Sequence, residues 1–264
     1  MGESIRLMLH SESEPPIKSL KESDAIAESL FAVVPCYNVE NTLPFFLHRL
    51  SEQFPLKQTF FINDGSTDKT ADVLKKKFAQ VHHHESNCGK GKSLKHGYGK
   101  ALQAGATWVF TIDSDLQHSP SDIPKFLEVA SQHDIVIGSR RQAFCWSNPV
   151  MPLPRKISNR ITSGILSKLC DQPILDSQCG FRFIKRDCLE RVLPKCRENG
   201  FMFETEFLLH AANEGFSISF VDIEVVYGTA KSHMRYVIDT LNFIKLAVRF
   251  GHKKLLGKSL RKPR

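Results

Sequence analysis

The sequence predicts an α/β fold, a single domain on a mixed, mostly parallel central sheet flanked by helices. Two observations lead there. Short apolar runs rich in β-branched and aromatic residues alternate with stretches of helical period, the pattern of parallel strands joined by crossover helices. The chain has 264 residues, 41% hydrophobic and 24% charged, with 28 Gly and Pro together. That is enough for one well-cored globular domain and excludes low-complexity and collagen-like chains.

Residues 1–28 are polar, carry Glu-Pro-Pro at 14–16 and show no period, so they read as a mobile leader. Strands are expected at 30–34, 58–62, 107–112 and 134–138, and helices near 41–52, 68–78, 92–104 and 121–131. A further short strand is due at Val-His-His-His, 81–84. Beyond Gly138 come a loop with Pro149, Pro152 and Pro154, a helix near 156–169, a strand near 181–184, a helix near 203–213 and a strand at 216–226. No repeat or Gly/Ser linker divides the chain, so 29–250 reads as one domain in two halves, 29–140 and 141–250. A basic tail, 251–264, should follow, because Gly251 and Gly257 weaken any helix past Phe250.

The net charge of +8 is concentrated at one end. Eight basic residues and no acid lie between Lys245 and Arg264, leaving 28 of each sign in the rest of the chain. A nucleic-acid-binding domain would spread its charge over a folded face, so no nucleic acid partner is expected. Val237, Leu241, Ile244, Val248 and Leu255 fall on one helical stripe, with Lys245, Arg249, His252 and Lys253 on another. This suits either an interfacial helix on an anionic membrane surface or a core-packed helix with a basic tail. No apolar run approaches the length of a membrane span. Seven cysteines without a C-x-x-C pair, and an N-terminus without a secretory pattern, point to buried thiols in a reducing, cytoplasmic compartment.

The strongest local signal is Thr107-Trp-Val-Phe-Thr-Ile-Asp113-Ser-Asp115-Leu-Gln117-His118, a buried strand that delivers two carboxylates to its C-terminal end. Open α/β sheets bind ligands at that edge. The pair serves either as turn-and-cap aspartates or as a site for a hard divalent ion, Mg²⁺ or Mn²⁺, that relieves their repulsion and bridges to phosphate. Asn63-Asp64-Gly65-Ser66-Thr67-Asp68 follows another strand. Gly65 permits the turn, Thr67 or Asp68 caps the next helix, and Asp64 is left to accept hydrogen bonds from a base or ribose. Asn87-Cys-Gly89-Lys90-Gly91-Lys92-Ser93 departs from a P-loop at Ser86, where glycine is required, but fits a phosphate-facing loop that opens a helix. Consecutive histidines 82–84 alternate faces on a strand and are expected, with His118, at the surface or substrate edge. His233 falls among basic residues after the last strand.

Together with Val33-Val-Pro35-Cys-Tyr37-Asn38-Val39-Glu40, these motifs occur in the order seen in family 2 glycosyltransferases, which the chain resembles over about 31–248. Asp176-Ser-Gln178-Cys-Gly180-Phe-Arg182-Phe-Ile-Lys-Arg186 and Phe203-Glu204-Thr-Glu206 look like the branch of dolichyl- and polyprenyl-phosphate sugar synthases. Val39, between Asn38 and Glu40, and Asn63, where many members have a second aspartate, depart from that pattern.

The resemblance implies a GT-A fold, with 29–140 as the nucleotide-sugar half and 141–250 as the acceptor half. It places Pro35, Tyr37, Glu40 and Asp64 around the nucleoside of a UDP- or GDP-linked sugar. Asp113 and Asp115 would stand at the metal and Gln117 beside the donor sugar, while Arg182 and Arg186 would face phosphate. The acceptor would be a polyprenyl phosphate or another envelope glycan or lipid precursor, and transfer would invert the anomeric centre. A phosphate acceptor is already anionic at neutral pH and demands no base, whereas a hydroxyl does. Glu204 and Glu206 are the candidate bases, but two residues apart on a helix they point to different faces. The alternatives are a nucleotidyltransferase, which would release pyrophosphate, and a non-catalytic nucleotide-sugar binding protein.

Overall fold

The computed structural model describes residues 26–75, 80–145, 153–224 and 236–260. The leader up to residue 25 and His233 lie outside them. Among the described residues, seven strands form one sheet in the order β3-β2-β1-β4-β6-β5-β7. They are β1 (Leu30–Cys36), β2 (Thr59–Asn63), β3 (Gln80–His83), β4 (Trp108–Thr111), β5 (Ile135–Ser139), β6 (Arg182–Lys185) and β7 (Ile218–Asp222). All neighbours are parallel except β6, which runs against both β4 and β5.

The helices are α1 (Leu43–Gln53), α2 (Thr70–Lys75), α3 (Lys90–Gln103), α4 (Ile123–Ala130), α5 (Leu153–Cys170), α6 (Arg186–Val192), α7 (Met202–Asn213) and α8 (Tyr236–Leu260). Each predicted element is present, shifted by a few residues at its ends. One expectation fails. α8 continues through Gly251 and Gly257, so the helix does not give way to a separate tail at 251.

β2, β4 and β5 are buried at every position, as strands covered on both faces must be. Leu43, Phe46, Leu47 and Leu50 of α1 and Leu94, Tyr98 and Ala101 of α3 pack into the core. α3 approaches the sheet closely because Gly97 has no side chain: a Cβ there would lie 2.3 Å from Val33 Cγ1. Around β6, Phe126 of α4 stacks on Phe181 and Phe183 with centroids 4.3 and 4.8 Å apart, and Phe183 stacks on Phe110 at 5.0 Å. Such ring pairs add about 0.5–1.5 kcal/mol each beyond their buried area, which fixes the reversed strand against β4.

Candidate active site

The strand order runs 3-2-1 and then jumps to 4, so a crevice opens at the carboxyl ends of β1 and β4. The turn after β4 is latched across it. Ser114 Oγ donates to the Pro35 carbonyl and Thr42 Oγ1 to the Ser114 carbonyl, both at 3.0 Å. Leu116 takes a left-handed conformation at φ 66°, and the Gln117 amide donates to Asp115 Oδ1 at 3.0 Å. Gly180, just before β6, packs directly on this turn. A Cβ there would lie 2.1 Å from Asp113 Oδ2, so only glycine leaves the carboxylate in place.

Across the crevice, Asp64 organises the loop that opens α3. Its Oδ1 accepts from the Cys88 amide at 2.9 Å and from His84 Nδ1 at 2.8 Å, and its Oδ2 from the Gly89 amide at 2.8 Å. Gly89 holds φ 96°, a conformation that side chains disfavour. The helix then starts at Lys90, whose ammonium reaches both oxygens of Asp113 at 2.8 and 2.9 Å and lies 3.3 Å from Glu204 Oε2.

The electrostatics separate the two aspartates. Burial, the largest effect, pushes Asp113 upward, but the charge and hydrogen bond of Lys90 together with His118 and Arg140 outweigh it and hold the carboxyl below the usual range. Burial and the neighbouring Asp113 charge push Asp115 up to about 6. Together the two offer hard oxygen donors of the kind Mg²⁺ and Mn²⁺ take. A second grouping, Asp64, His84 and Cys88, brings ligand atoms within 4.8 Å. There the Asp64 oxygens are already engaged by two amides and the histidine.

Several expectations need correction. Arg182 does not face phosphate: it is buried and donates to the carbonyls of Cys179, Glu204 and Ser177 at 2.8, 3.0 and 2.6 Å. Arg186 sits at the opposite edge of the sheet. Because β6 is antiparallel, Arg182 pairs with Thr111 but Lys185 with Trp108, and the Arg186 amide donates to the Thr107 carbonyl. Four residues of strand, about 13 Å, separate the two arginines, and the Arg186 guanidinium holds the carbonyls of Leu102 and Ala106 and the Glu190 carboxylate. Glu206 is fully buried away from the turn, accepting from the amides of Arg197 and Glu198 and from Arg249. Glu204 is the one of the pair that reaches the site. Asp64 is buried as a loop anchor, and the Glu40 carboxylate accepts from the Lys69 amide at 2.8 Å while the Glu40 amide donates to Asp68. Pro35 and half-buried Tyr37 do lie at the end of β1.

Of the histidines, His118 differs from expectation, while those of β3 and the residue after it alternate faces as expected, with His83 exposed. His82 and His84, two apart, share a face against His96, with ring centroids 5.2 Å away in each case. His118 is buried beside Cys179, its Nδ1 has no protein partner, and burial pushes it down to about 4, so it is neutral at physiological pH.

Sequence reasoning missed Arg140. It follows β5 at the same carboxyl edge and is held by Asp176 in a bidentate pair, Nε at 2.7 Å and Nη2 at 2.9 Å. The signal was available: an arginine two residues beyond a predicted parallel strand belongs to the ligand edge.

The model of the family described as "Glycosyl transferase family 2" matches residues 31–193. The chain belongs to this family. Over 222 residues it is 27% identical to the UDP-N-acetylglucosamine–dolichyl-phosphate N-acetylglucosaminyltransferase of Methanococcus voltae, covering 75% of this chain and 86% of that protein. It is also 27% identical over 207 residues to the undecaprenyl-phosphate mannosyltransferase of Micrococcus luteus, covering 75% and 83%. Its fold is that of glucosyl-3-phosphoglycerate synthase from Mycobacterium tuberculosis, solved with Mn²⁺, UDP and phosphoglyceric acid. The TM-score is 0.65 at 18% identity, over 90% of this chain and 84% of the other.

Proposed function

We propose that this family 2 glycosyltransferase moves a sugar from a UDP- or GDP-linked donor to a polyprenyl phosphate, with Mg²⁺ or Mn²⁺ as cofactor. The observation that carries this is the turn at the end of β4, where Asp113 and Asp115 stand beside Lys90 and Gly180 packs close enough on Asp113 that no side chain fits between them. Asp113 and Asp115 would hold the ion. Bound there, it would neutralise charge growing on the departing nucleoside diphosphate. Lys90, the first residue of α3, adds a fixed cation at a helix N-terminus, where dipole and ammonium both favour phosphate. Pro35 and Tyr37 would border the nucleoside and Gln117 the sugar.

A phosphate acceptor fits the described residues of this site better than a hydroxyl. Glu204, the carboxylate that reaches the crevice, is committed to Lys90 and lies 3.6 Å from Arg182. With its oxygens turned to those two cations, it is not placed as the base that an acceptor hydroxyl would need. A phosphate monoester, whose second pKa is about 6, needs none. The two polyprenyl-phosphate transferases among the relatives support the same acceptor class. Among the described residues no helix is long and apolar enough to cross a membrane. We place the chain in the cytoplasm, working at the membrane face with its basic C-terminal helix toward anionic lipid.

The test is transfer of labelled sugar from a panel of UDP- and GDP-sugars to a polyprenyl phosphate with Mn²⁺, with the nucleotide product identified. Release of a nucleoside diphosphate and loss of transfer in Asp115→Ala are expected. Pyrophosphate release would mean a nucleotidyltransferase. Donor binding without turnover on any acceptor would mean a binding protein.

A further inference from the structure

Large hydrophobic side chains left exposed are unevenly placed. Of the nine among the described residues, eight lie on α5, the loop after it and α8. On α5, Leu153, Ile157, Ile161 and Ile165 recur every four residues and are 38–56% exposed. That spacing puts them on one face of the helix, opposite the buried Ser163, Leu166 and Cys170. α8 repeats the arrangement: Leu241, Ile244 and Val248 are exposed while Phe243, Leu246 and Phe250 are buried. The two helices are packed against one another, with Leu169 Cδ2 3.8 Å from where a Cβ of Gly251 would be. Clustered exposed aliphatics of this size mark an interaction surface rather than ordinary scatter.

Charge selects the partner. α5 contains no acid and has exposed Arg160 and Lys168, and from Thr240 onward the chain has no acid either. Two copies of so basic a face would repel, whereas an anionic bilayer attracts the cations and accepts the aliphatics into its interfacial layer. The face also leads to the crevice. Ser163 Oγ donates to the Leu175 carbonyl and the Ile174 amide to Ser167 Oγ, tying α5 to the following loop. That loop exposes Leu175, then places Asp176 on Arg140 and Gly180 on Asp113.

We infer that the isoleucine stripe of α5, with Leu175 and the exposed stripe of α8, is a docking face for an anionic lipid bilayer. It presents the crevice to an acceptor phosphate at the membrane surface. The inference rests on the lipid-phosphate reading of the site and extends it to a second element, since α5 lies far from the basic C-terminus in sequence.

The experiment is co-sedimentation of the full chain with vesicles of phosphatidylglycerol and phosphatidylcholine, and with phosphatidylcholine alone, at low and high salt. Binding to the anionic vesicles that weakens with salt is expected, and Ile161→Glu/Ile165→Glu should lower the partition coefficient at least tenfold. Phe45→Glu, on α1, should leave it within twofold. Equal losses in the two variants, absent binding in the wild type, or a wild-type dimer dispersed by the α5 variant would each overturn the docking face. Transfer to a short-chain, water-soluble polyprenyl phosphate without vesicles reports separately on the acceptor. If it proceeds while vesicle binding is absent, the face fails alone. If vesicle binding holds while no polyprenyl phosphate is glycosylated, the acceptor assignment fails and the docking face stands.

Discussion

Lys90 Nζ stands 2.8 Å from Asp113 and 3.3 Å from Glu204, so one ammonium at the start of α3 joins the turn after β4 to the first turn of α7. All three side chains are largely buried, and truncating the lysine strands two carboxylates in a poorly solvated crevice. Lys90→Met should therefore cost about 3 kcal/mol of stability. Mn²⁺ should restore part of that loss if it replaces the missing charge. Urea denaturation of both proteins with and without Mn²⁺ measures both effects.

Gly180→Ala should act on the site more than on the fold. The added methyl would overlap Asp113 Oδ2, and the carboxylate must move. We expect at least a tenfold loss of Mn²⁺ affinity, with Tm lowered by only a few degrees. Calorimetric titration with Mn²⁺ and a thermal melt test the split.

Arg182 and Arg186 should behave oppositely to a phosphate-binding pair. Arg182→Ala leaves three buried carbonyls without their donor and should cost more than 3 kcal/mol, approximately, appearing as lost soluble protein. Arg186→Ala removes contacts at the far edge of the sheet and should leave kcat/KM within about twofold at a cost of about 1 kcal/mol. A large rise in KM for the donor in Arg186→Ala would contradict its placement.

The Asp115 carboxyl gives a pH dependence with a definite sign. Its folded pKa, about 6, lies above the ordinary aspartate value of 3.8. Without metal, its contribution to stability is present below the unfolded value and lost as pH rises through 6. Metal binding requires the ionised form, so Mn²⁺ stabilisation should be greater at pH 7.5 than at pH 5. Melts across that range in wild type and Asp115→Asn would reveal the difference.

The architecture was legible because the chain's periodicities are clean: mainly apolar runs became β2, β4 and β5, and the Asp113 turn fell at the edge that parallel strands require. What periodicity does not carry is strand direction, and β6 is too short, at four residues, to betray its reversal. Arg186 was misplaced for that reason, and Arg182 because the carbonyls that hold its guanidinium come from the preceding loop and from α7. The amides that Asp64 and Glu40 hold were not legible, because those partners lie about 25 and 29 positions away in sequence. Arg140 was overlooked since its meaning depends on a strand end rather than on a motif.

The reversed β6 has a consequence for transferring residue roles along this stretch. A motif written as one continuous string is threaded through the slab of the protein, its first letters at the reactive mouth and its last at the rear wall. Along it, Gly180 packs on the Asp113 turn, and the two arginines beyond it hold backbone carbonyls. Diversification in relatives should follow the same gradient: substitutions before Gly180 would retune catalysis, and those after it the tolerance to heat.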